Sequence, residues 1–267
     1  MKKLKFKDKT VLITGASSGI GKAMAAYLIK KYNCRIYAIA RNIDKLNQAA
    51  TELGDNYIPY SLDVSSKDGW TSLAAYFEES NASIDALINC AGVLPEFKSF
   101  EKTTIDELEE VIKINLLSNA YSIKALAPHI NDGGAIVNIS SASSLCPFGG
   151  VSIYSASKSA LDNFSVSVGC EYKNIRVSSV LPGFVRTDIM KNQEISGKES
   201  RIIRAFSADA DKIARKILKR VAKRKRRIIV GKDAHLLSFL YKHFPNSAPA
   251  IITKFLRRSG LELFSKI

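Results

Sequence analysis

Tyr154 and Lys158 stand four residues apart in the run YSASK. On a helix that spacing puts both side chains on one face, within reach of one small site. A free phenol releases its proton near pH ~10, so by itself it is a poor proton shuttle at neutral pH. An ammonium beside it favours the phenolate and lowers that value. The pair is therefore a candidate proton donor and acceptor. An exposed helix carrying an unrelated Tyr and Lys would have the same spacing, so the pair needs support from elsewhere in the chain.

Support comes from Thr14 to Gly21, which reads TGASSGIG. It follows a β-branched run and precedes an amphipathic one, so the turn joins a strand to a helix. Glycines at 15, 19 and 21 let it tighten and let backbone N–H groups approach a phosphate, with the positive end of the helix dipole behind them. That is the construction that holds a dinucleotide pyrophosphate. The spacing is Gly-xxx-Gly-x-Gly, not the GxGxxG of the standard dehydrogenase fingerprint.

This turn resembles the cofactor turn of the short-chain dehydrogenases/reductases. The resemblance continues through Asp63 in LDVS, NCAG at Asn89–Gly92, Asn115 in IKINL, Ser141 in NISS, YSASK, and PGFVRT at Pro182–Thr187. It runs in family order over roughly residues 8–190. Cys90 departs from it, because the family usually carries a second Asn there. The resemblance implies hydride transfer between a nicotinamide and a carbonyl or secondary alcohol, with Tyr154 giving the proton and Lys158 also holding the nicotinamide ribose. It implies that Ser141 hydrogen-bonds the carbonyl oxygen. Ser140, Ser141, Ser143 and Ser144 all crowd one strand end; chemistry does not choose among them, and the family spacing to Tyr154 selects Ser141. Asn115 would hold a water linking Lys158 to solvent, although a locally satisfied polar residue would read the same. The implied cofactor contacts are Gly15, Ser17, Ser18, Gly19, Ile20 and Gly21 in the turn, and Asp63 and Val64 at the adenine. Asn89, Ala91 and Gly92 follow, then Tyr154 and Lys158, and finally Pro182, Gly183, Val185 and Thr187.

The second strand ends IYAIARN. NAD-selective sites place an Asp or Glu there to hold the ribose hydroxyls. Here that position is Ala40, followed by Arg41. No carboxylate would repel a 2′-phosphate, and a guanidinium is available to bind it. NADP(H) is favoured over NAD(H), and the missing acid argues more firmly than Arg41, which could be a solvated loop charge.

The elements that must position these groups alternate. Strands are expected at 11–14, 35–40, 57–62, 86–89, 135–140, 176–181 and 227–231. Helices are expected at 20–31, 44–53, 66–79, 104–129, 154–171 and 209–223. Thr104 and Glu107 form a capping-box pattern. Residues 184–207 read as a loop with a short helix. Strands alternating with helices imply βαβ units and a parallel sheet, and continuously apolar strands imply helices on both faces. The expected architecture is α/β: one doubly wound Rossmann-type domain over 1–231, with a mostly parallel sheet of about seven strands. A basic, amphipathic helical C-terminal extension over 232–267 packs on it or on a membrane.

The chain has 267 residues, 46% of them apolar, and a net charge of +15. Mean hydropathy is −0.02, which suits an ordinary buried core. The charge is local: residues 211–267 hold 16 Lys/Arg against 3 Asp/Glu. Beside the run KRVAKRKRR, the segments 235–244 and 248–258 place Leu236, Leu237, Leu240 and Phe244, then Ile251, Ile252, Phe255 and Leu256, at helical spacing. Packing on the domain or a subunit and peripheral contact with anionic lipid both fit. Nucleic acid fits worst, because no recognised motif accompanies the charge. The four cysteines form no CxxC pair and read as scattered buried thiols. The basic N-terminus lacks the apolar segment of a signal peptide, and no apolar run is long enough to span a bilayer.

The expected activity is that of an NADP(H)-dependent oxidoreductase transferring a hydride between the nicotinamide and a lipophilic carbonyl or secondary alcohol. The alternative is a non-catalytic NADP(H)-binding scaffold or sensor, which would not need Asn115, Ser141, Tyr154 and Lys158 together. Specificity is expected from Leu94, Phe97, Leu145, Phe148, Phe184 and Met190. The expected assembly is a homodimer or homotetramer, and the expected location the cytoplasm or, peripherally, the inner face of a membrane.

Overall fold

Seven short apolar runs pair into one sheet. In the computed structural model, which describes residues 3–186, 208–259, 264 and 266–267, these are β1 (Thr10–Thr14), β2 (Arg35–Ala40), β3 (Tyr57–Ser61), β4 (Ile84–Asn89), β5 (Ile130–Ile139), β6 (Arg176–Pro182) and β7 (Arg227–Val230). Their order is β3-β2-β1-β4-β5-β6-β7, and every neighbouring pair is parallel. Parallel neighbours need crossovers, and helices supply them: α1 (Gly19–Tyr32), α2 (Ile43–Leu53), α3 (Lys67–Glu79), α4 (Ile105–Ile112), α5 (Ser118–Leu126), α6 (Ser152–Glu171) and α7 (Ala210–Ala222).

Side chains of a strand alternate between faces, and both faces are covered. Val11 and Ile13 of β1 pack with Met24 and Leu28 of α1 and Ile213 and Ile217 of α7. Leu12 packs on the other side with Trp70, Leu73 and Phe77 of α3, Leu126 of α5 and Val168 of α6. The chain leaves β1 toward β2 and β3, then returns to lay β4 on β1's other side. Crossovers there diverge to opposite faces and open a crevice at the carboxyl ends of β1 and β4.

Four segments depart from the pattern expected from periodicity. The helix expected over 104–129 is three segments. Its start has the capping box, with the Glu107 N–H donating to Thr104 Oγ1 at 3.2 Å and the Thr104 N–H to Glu107 Oε2 at 2.8 Å. A π-helical turn at Lys113–Leu117 then separates α4 from α5, and a short 3₁₀ turn containing Pro128 ends it. Strand β5 starts five residues before its apolar run; within that start Gly133 takes a φ of +77°, and the pairing with β4 shifts register between Ile84 and Ala86. Helix α6 starts at Ser152, so Tyr154 lies in its first turn. Within the segment expected to be loop, Val185–Arg186 pairs with Ala208–Asp209; residues 187–207, including Thr187 and Met190, lie outside the described ones.

The C-terminal segment forms α8 (Lys232–His243) and α9 (Ala248–Arg258). Their inner faces pack: Ala234 and Leu237 against Leu145 and Leu181, and Ile252 and Leu256, with Phe264 and Ile267, against Phe97, Phe148 and Val151. Their outer faces stay apolar and open. Leu236, Phe239, Phe244, Ile251 and Phe255 are each 53–67% exposed. The basic run serves the fold in part. Arg220 donates to the Ile229 carbonyl and Arg224 to that of Gly133, and Arg227 pairs with buried Asp162 at 2.7 Å. Cys34 and Cys146 are buried, but Cys170 is exposed, contrary to the expectation of uniformly buried thiols. Among the described residues no helix is long and apolar enough to cross a membrane.

Candidate active site

The crevice is stitched at its base. Thr14 Oγ1 accepts hydrogen bonds from the N–H groups of Cys90 and Ala91, both at 3.0 Å, and so ties the end of β1 to the end of β4. Gly15 follows with a φ of +66°, and a Cβ there would stand 3.0 Å from Ala91 Cα and N. A Cβ on Gly21 would strike the Gly15 carbonyl oxygen. Only glycine closes this turn. Helix α1 then begins after Ser18, with no side-chain cap and no acid in its first turn. Its N–H groups and dipole face a cavity of about 380 Å³ lined by Gly15, Ser18, Gly19, Ile20 and Gly21. Uncapped donors beside a side-chain-free turn fit a pyrophosphate.

Ser141, Tyr154 and Lys158 meet on the same cavity, together with Ala91, Gly92, Pro182, Gly183 and Val185. The serine cluster divides its work. Ser140 donates to the Lys158 carbonyl at 2.7 Å and locks β5 onto α6. Ser144 donates to the Ser141 carbonyl at 2.5 Å. Ser141 Oγ accepts from the Ser143 N–H at 3.2 Å while lining the cavity. Lys158 is 4% exposed, and its Nζ donates to the Ile139 carbonyl at 2.9 Å.

The electrostatics correct the simple phenol–ammonium picture. Burial raises the Tyr154 hydroxyl above the ordinary phenol value, and a hydrogen bond from Ser141 only partly offsets it. Burial brings Lys158 down to about 8, against an opposing effect of Cys90. Lys158 Nζ lies 5.9 Å from the centre of the Tyr154 ring and is turned to Ile139, so removal of both groups from water outweighs their mutual attraction. Tyr154 is therefore held as the protonated acid.

Asn115 does not line the cavity. The π-helical turn brings it, fully buried, beneath Gly92 and Val93. Its Oδ1 accepts from the Val93 N–H at 2.8 Å, and its Nδ2 donates to the Val93 carbonyl at 2.9 Å and to Ser157 Oγ at 3.2 Å. A Cβ on Gly92 would come 3.0 Å from Asn115 Oδ1 and 3.3 Å from Lys158 Nζ, so the glycine lets backbone and both side chains converge. Asn89 lies deeper still. It donates to Asn138 at 2.9 Å and accepts from Ser122 at 2.8 Å, in the interior behind the site. Ser17, Arg41, Asp63 and Val64 lie outside the cavity lining. Arg41 is exposed and Ala40 half-buried at the end of β2. Burial would raise the Asp63 carboxyl, but hydrogen bonds from Ser65 and the charges of Arg41 and Lys113 hold it below the usual carboxylate range. Val64 is buried, and its carbonyl accepts from the Trp70 indole N–H at 2.8 Å.

Residues 9–196 match the family model of the short chain dehydrogenases. The chain belongs to that family. It is 33% identical over 189 residues to a human 3-oxoacyl-[acyl-carrier-protein] reductase, covering 69% of this chain and 79% of the relative. It is 34% identical over 218 residues to the 11-beta-hydroxysteroid dehydrogenase-like 2 of Arabidopsis thaliana, covering 78% and 70%. Two solved structures share the fold at a TM-score of 0.79. One is a short chain dehydrogenase/reductase of Burkholderia phymatum in complex with NAD, at 21% identity over 90% of this chain and 95% of that one. The other is a Burkholderia cenocepacia short chain dehydrogenase in complex with NADP, at 20% identity over 93% and 99%. The protein is thus an oxidoreductase of a family that binds NAD(P).

Four residues of this short-chain dehydrogenase matter to the site although the sequence does not place them there. Thr14 ends β1 and had only its place before Gly15 to mark it. Ser143 read as a turn residue, yet it lines the cavity with a buried hydroxyl that has no partner. Leu237 comes from the C-terminal extension to line the same cavity. Asp233 begins α8 and accepts from the Phe184 N–H at 2.6 Å. Its carboxylate fills the space that a Cβ on Gly183 or on Gly231 would need, so it clamps the Pro182–Phe184 turn beside the cavity. Nothing in the sequence around Asp233 marks that contact.

Proposed function

We propose that this protein is an NADP(H)-dependent reductase or alcohol dehydrogenase acting on a lipophilic carbonyl or secondary alcohol. The observation that carries the reading is the convergence of Ser141, Tyr154 and Lys158 on one cavity that also has an apolar wall of Leu94, Phe97, Phe148, Val151, Phe184 and Leu237. A bound nicotinamide dinucleotide would supply or accept the hydride. The chain's own groups do the rest. Tyr154, held protonated by burial, gives its phenolic proton to the substrate oxygen as that oxygen gains charge. Ser141 orients the oxygen by a hydrogen bond. Lys158 adds positive charge beside the phenolate left behind and holds the ribose. Asn115 acts as a positioning residue by fixing the Val93 backbone beneath the site. Gly15 to Gly21 and the bare end of α1 hold the pyrophosphate. Ser17 stands in that turn, and Asp63 and Val64 would meet the adenine end.

Preference for NADP(H) is supported by the absence of a carboxylate at Ala40 and by exposed Arg41 after it. The test is oxidation of NADPH and of NADH against a panel of aliphatic, steroidal, retinoid and acyl carbonyls. Turnover with a lipophilic carbonyl and NADPH is expected. Faster turnover with NADH, or turnover confined to small polar carbonyls, would overturn this reading.

A peripheral contact with an anionic membrane is supported by the five open apolar side chains of α8 and α9, flanked by Lys242, Lys254, Arg257 and Arg258. Co-sedimentation with anionic vesicles is expected to exceed that with neutral ones and to fall with salt, leaving an apolar remainder. Equal sedimentation with both kinds of vesicle would dismiss the electrostatic part of the contact.

A further inference from the structure

A second cleft, of about 850 Å³, opens between α6 and α9. Phe148 lines both it and the catalytic cavity and forms the wall between them. One side is fastened: the Gly149 N–H donates to Thr253 Oγ1 at 2.9 Å, and a Cβ on Gly149 would press on Thr253 Cγ2 at 2.8 Å. Beyond that anchor α9 brings Lys254, Arg257 and Arg258 to the lining, and no Asp or Glu lines the cleft. No acid among the described residues forms an ion pair with these three cations.

The facing wall is the start of α6, a helix of 20 residues with no side-chain N-cap and no acid in its first turn. From that turn Ser155 enters the lining. It is 3% exposed, and its hydroxyl has no hydrogen-bond partner. Burying a hydroxyl unpaired is unfavourable, whereas the three cations are exposed and solvent screens their repulsion. One anion with several acceptor oxygens in the cleft would satisfy the hydroxyl and give the cations a partner. Ser152 and Ser159 also line the cleft, and Pro147, Phe148, Ala156, Pro249 and Ala250 supply its apolar surface.

We infer that this cleft binds a phosphate group carried on an apolar body. The phosphate is held by Lys254, Arg257, Arg258 and the start of α6 with Ser155, and the apolar part lies over the two prolines and Phe148. A phosphate monoester carries about −1.5 to −2 charges and three acceptor oxygens, which suits three cations, a helix N-terminus and a free hydroxyl. A carboxylate offers one charge and two oxygens and would leave part of that set unmatched. The inference stands apart from the catalytic reading, since none of these residues except Phe148 lines the catalytic cavity.

The test is calorimetric titration of the full chain with dodecyl phosphate, inorganic phosphate and dodecyl maltoside, each below its micellar range. Dodecyl phosphate is expected to bind at one site and to bind equally well to the Tyr154→Phe protein. Inorganic phosphate and the neutral detergent are expected to bind at least tenfold more weakly. Arg257→Ala with Arg258→Ala should weaken dodecyl phosphate about tenfold or more, the loss expected for charge-assisted hydrogen bonds. Ser155→Ala, which leaves the surface charge untouched, should weaken it severalfold. Displacement of bound dodecyl phosphate by phosphatidate vesicles would identify the occupant as a bilayer lipid; its persistence would identify a soluble phosphate ester, and either result supports the site. Equal binding of dodecyl maltoside, or dodecyl phosphate binding unchanged in both the double arginine variant and Ser155→Ala, would overturn it.

Discussion

Replacing Lys158 by methionine keeps an unbranched side chain only one atom shorter and removes a charge that burial disfavours. An ordinary lysine titrates at 10.5 and Lys158 at about 8. At about 1.36 kcal/mol for each tenfold change in proton affinity, the folded protein holds this ammonium about 3 kcal/mol less favourably than the unfolded chain does. The sign follows from proton counting. Between pH 8 and 10.5 the unfolded chain binds the proton and the folded one does not, so wild-type stability rises with pH across that window. The methionine protein has no such rise. It loses the hydrogen bond to the Ile139 carbonyl, which costs about 1 kcal/mol. At pH 7 it should therefore be the more stable protein by about 2 kcal/mol. By pH 9.5 that advantage should have fallen by about 2 kcal/mol, because most of the linkage is then spent. Urea unfolding of both proteins at the two pH values, without cofactor, measures the difference, and titrations common to both cancel. Turnover should fall steeply in the variant. A stability gap that does not change with pH, or a less stable variant at pH 7 with the same slope as wild type, would refute the claim that burial strains this lysine.

Tyr154→Phe should leave cofactor affinity nearly intact and remove most turnover, since only the proton donor is lost; near-wild-type turnover would dismiss its role. Arg41→Ala should weaken NADPH by roughly tenfold or more and NADH little, as a lost charge-assisted hydrogen bond is worth about 1.5–3 kcal/mol; equal losses for the two cofactors would exclude a phosphate contact. Asp233→Ala leaves the Phe184 N–H without its acceptor at 2.6 Å, so it should loosen the Pro182–Phe184 turn and raise the cofactor KM severalfold, while Asp233→Asn, which keeps an acceptor, should recover most of the loss. An unchanged KM in the alanine protein would show that the turn holds without its clamp. Gly92→Ala would bring a methyl to 3.0 Å from Asn115 Oδ1 and 3.3 Å from Lys158 Nζ; kcat should fall with little change in stability, and unaltered kcat would mean that the crowding relaxes without cost.

The site was legible in the sequence wherever its chemistry lies within a short window. Gly15, Gly19 and Gly21 sit in one turn, and Tyr154 and Lys158 in one turn of helix, so spacing alone put each set together. Strand and helix periodicity likewise implied the parallel sheet, because continuously apolar strands need helices on both faces. The break in the long helix was not legible: Lys113–Leu117 keeps helical residue types through a π-helical turn, and the contacts that Asn115 makes there with Val93 are long-range.

By itself the sequence determined the order of the elements, the glycine turn and the catalytic face of α6, all of which rest on contacts within a few residues. The tertiary structure decided what depends on contacts between distant segments. Thr14 meets Ala91 across 77 positions, Phe184 meets Asp233 across 49, and Gly149 meets Thr253 across 104. It also decided the two titrations. From sequence, Lys158 should have lowered the Tyr154 value; in the fold the Tyr154 value rises and that of Lys158 falls. The amphipathic tail could pack or stay open, and the fold does both, with Leu237, Ile252 and Leu256 inward and Leu236, Ile251 and Phe255 outward. Helical spacing defines an apolar face, but which part of that face is covered depends on the surface it meets, and that surface is assembled only when β6, β7 and the loop before α6 come together.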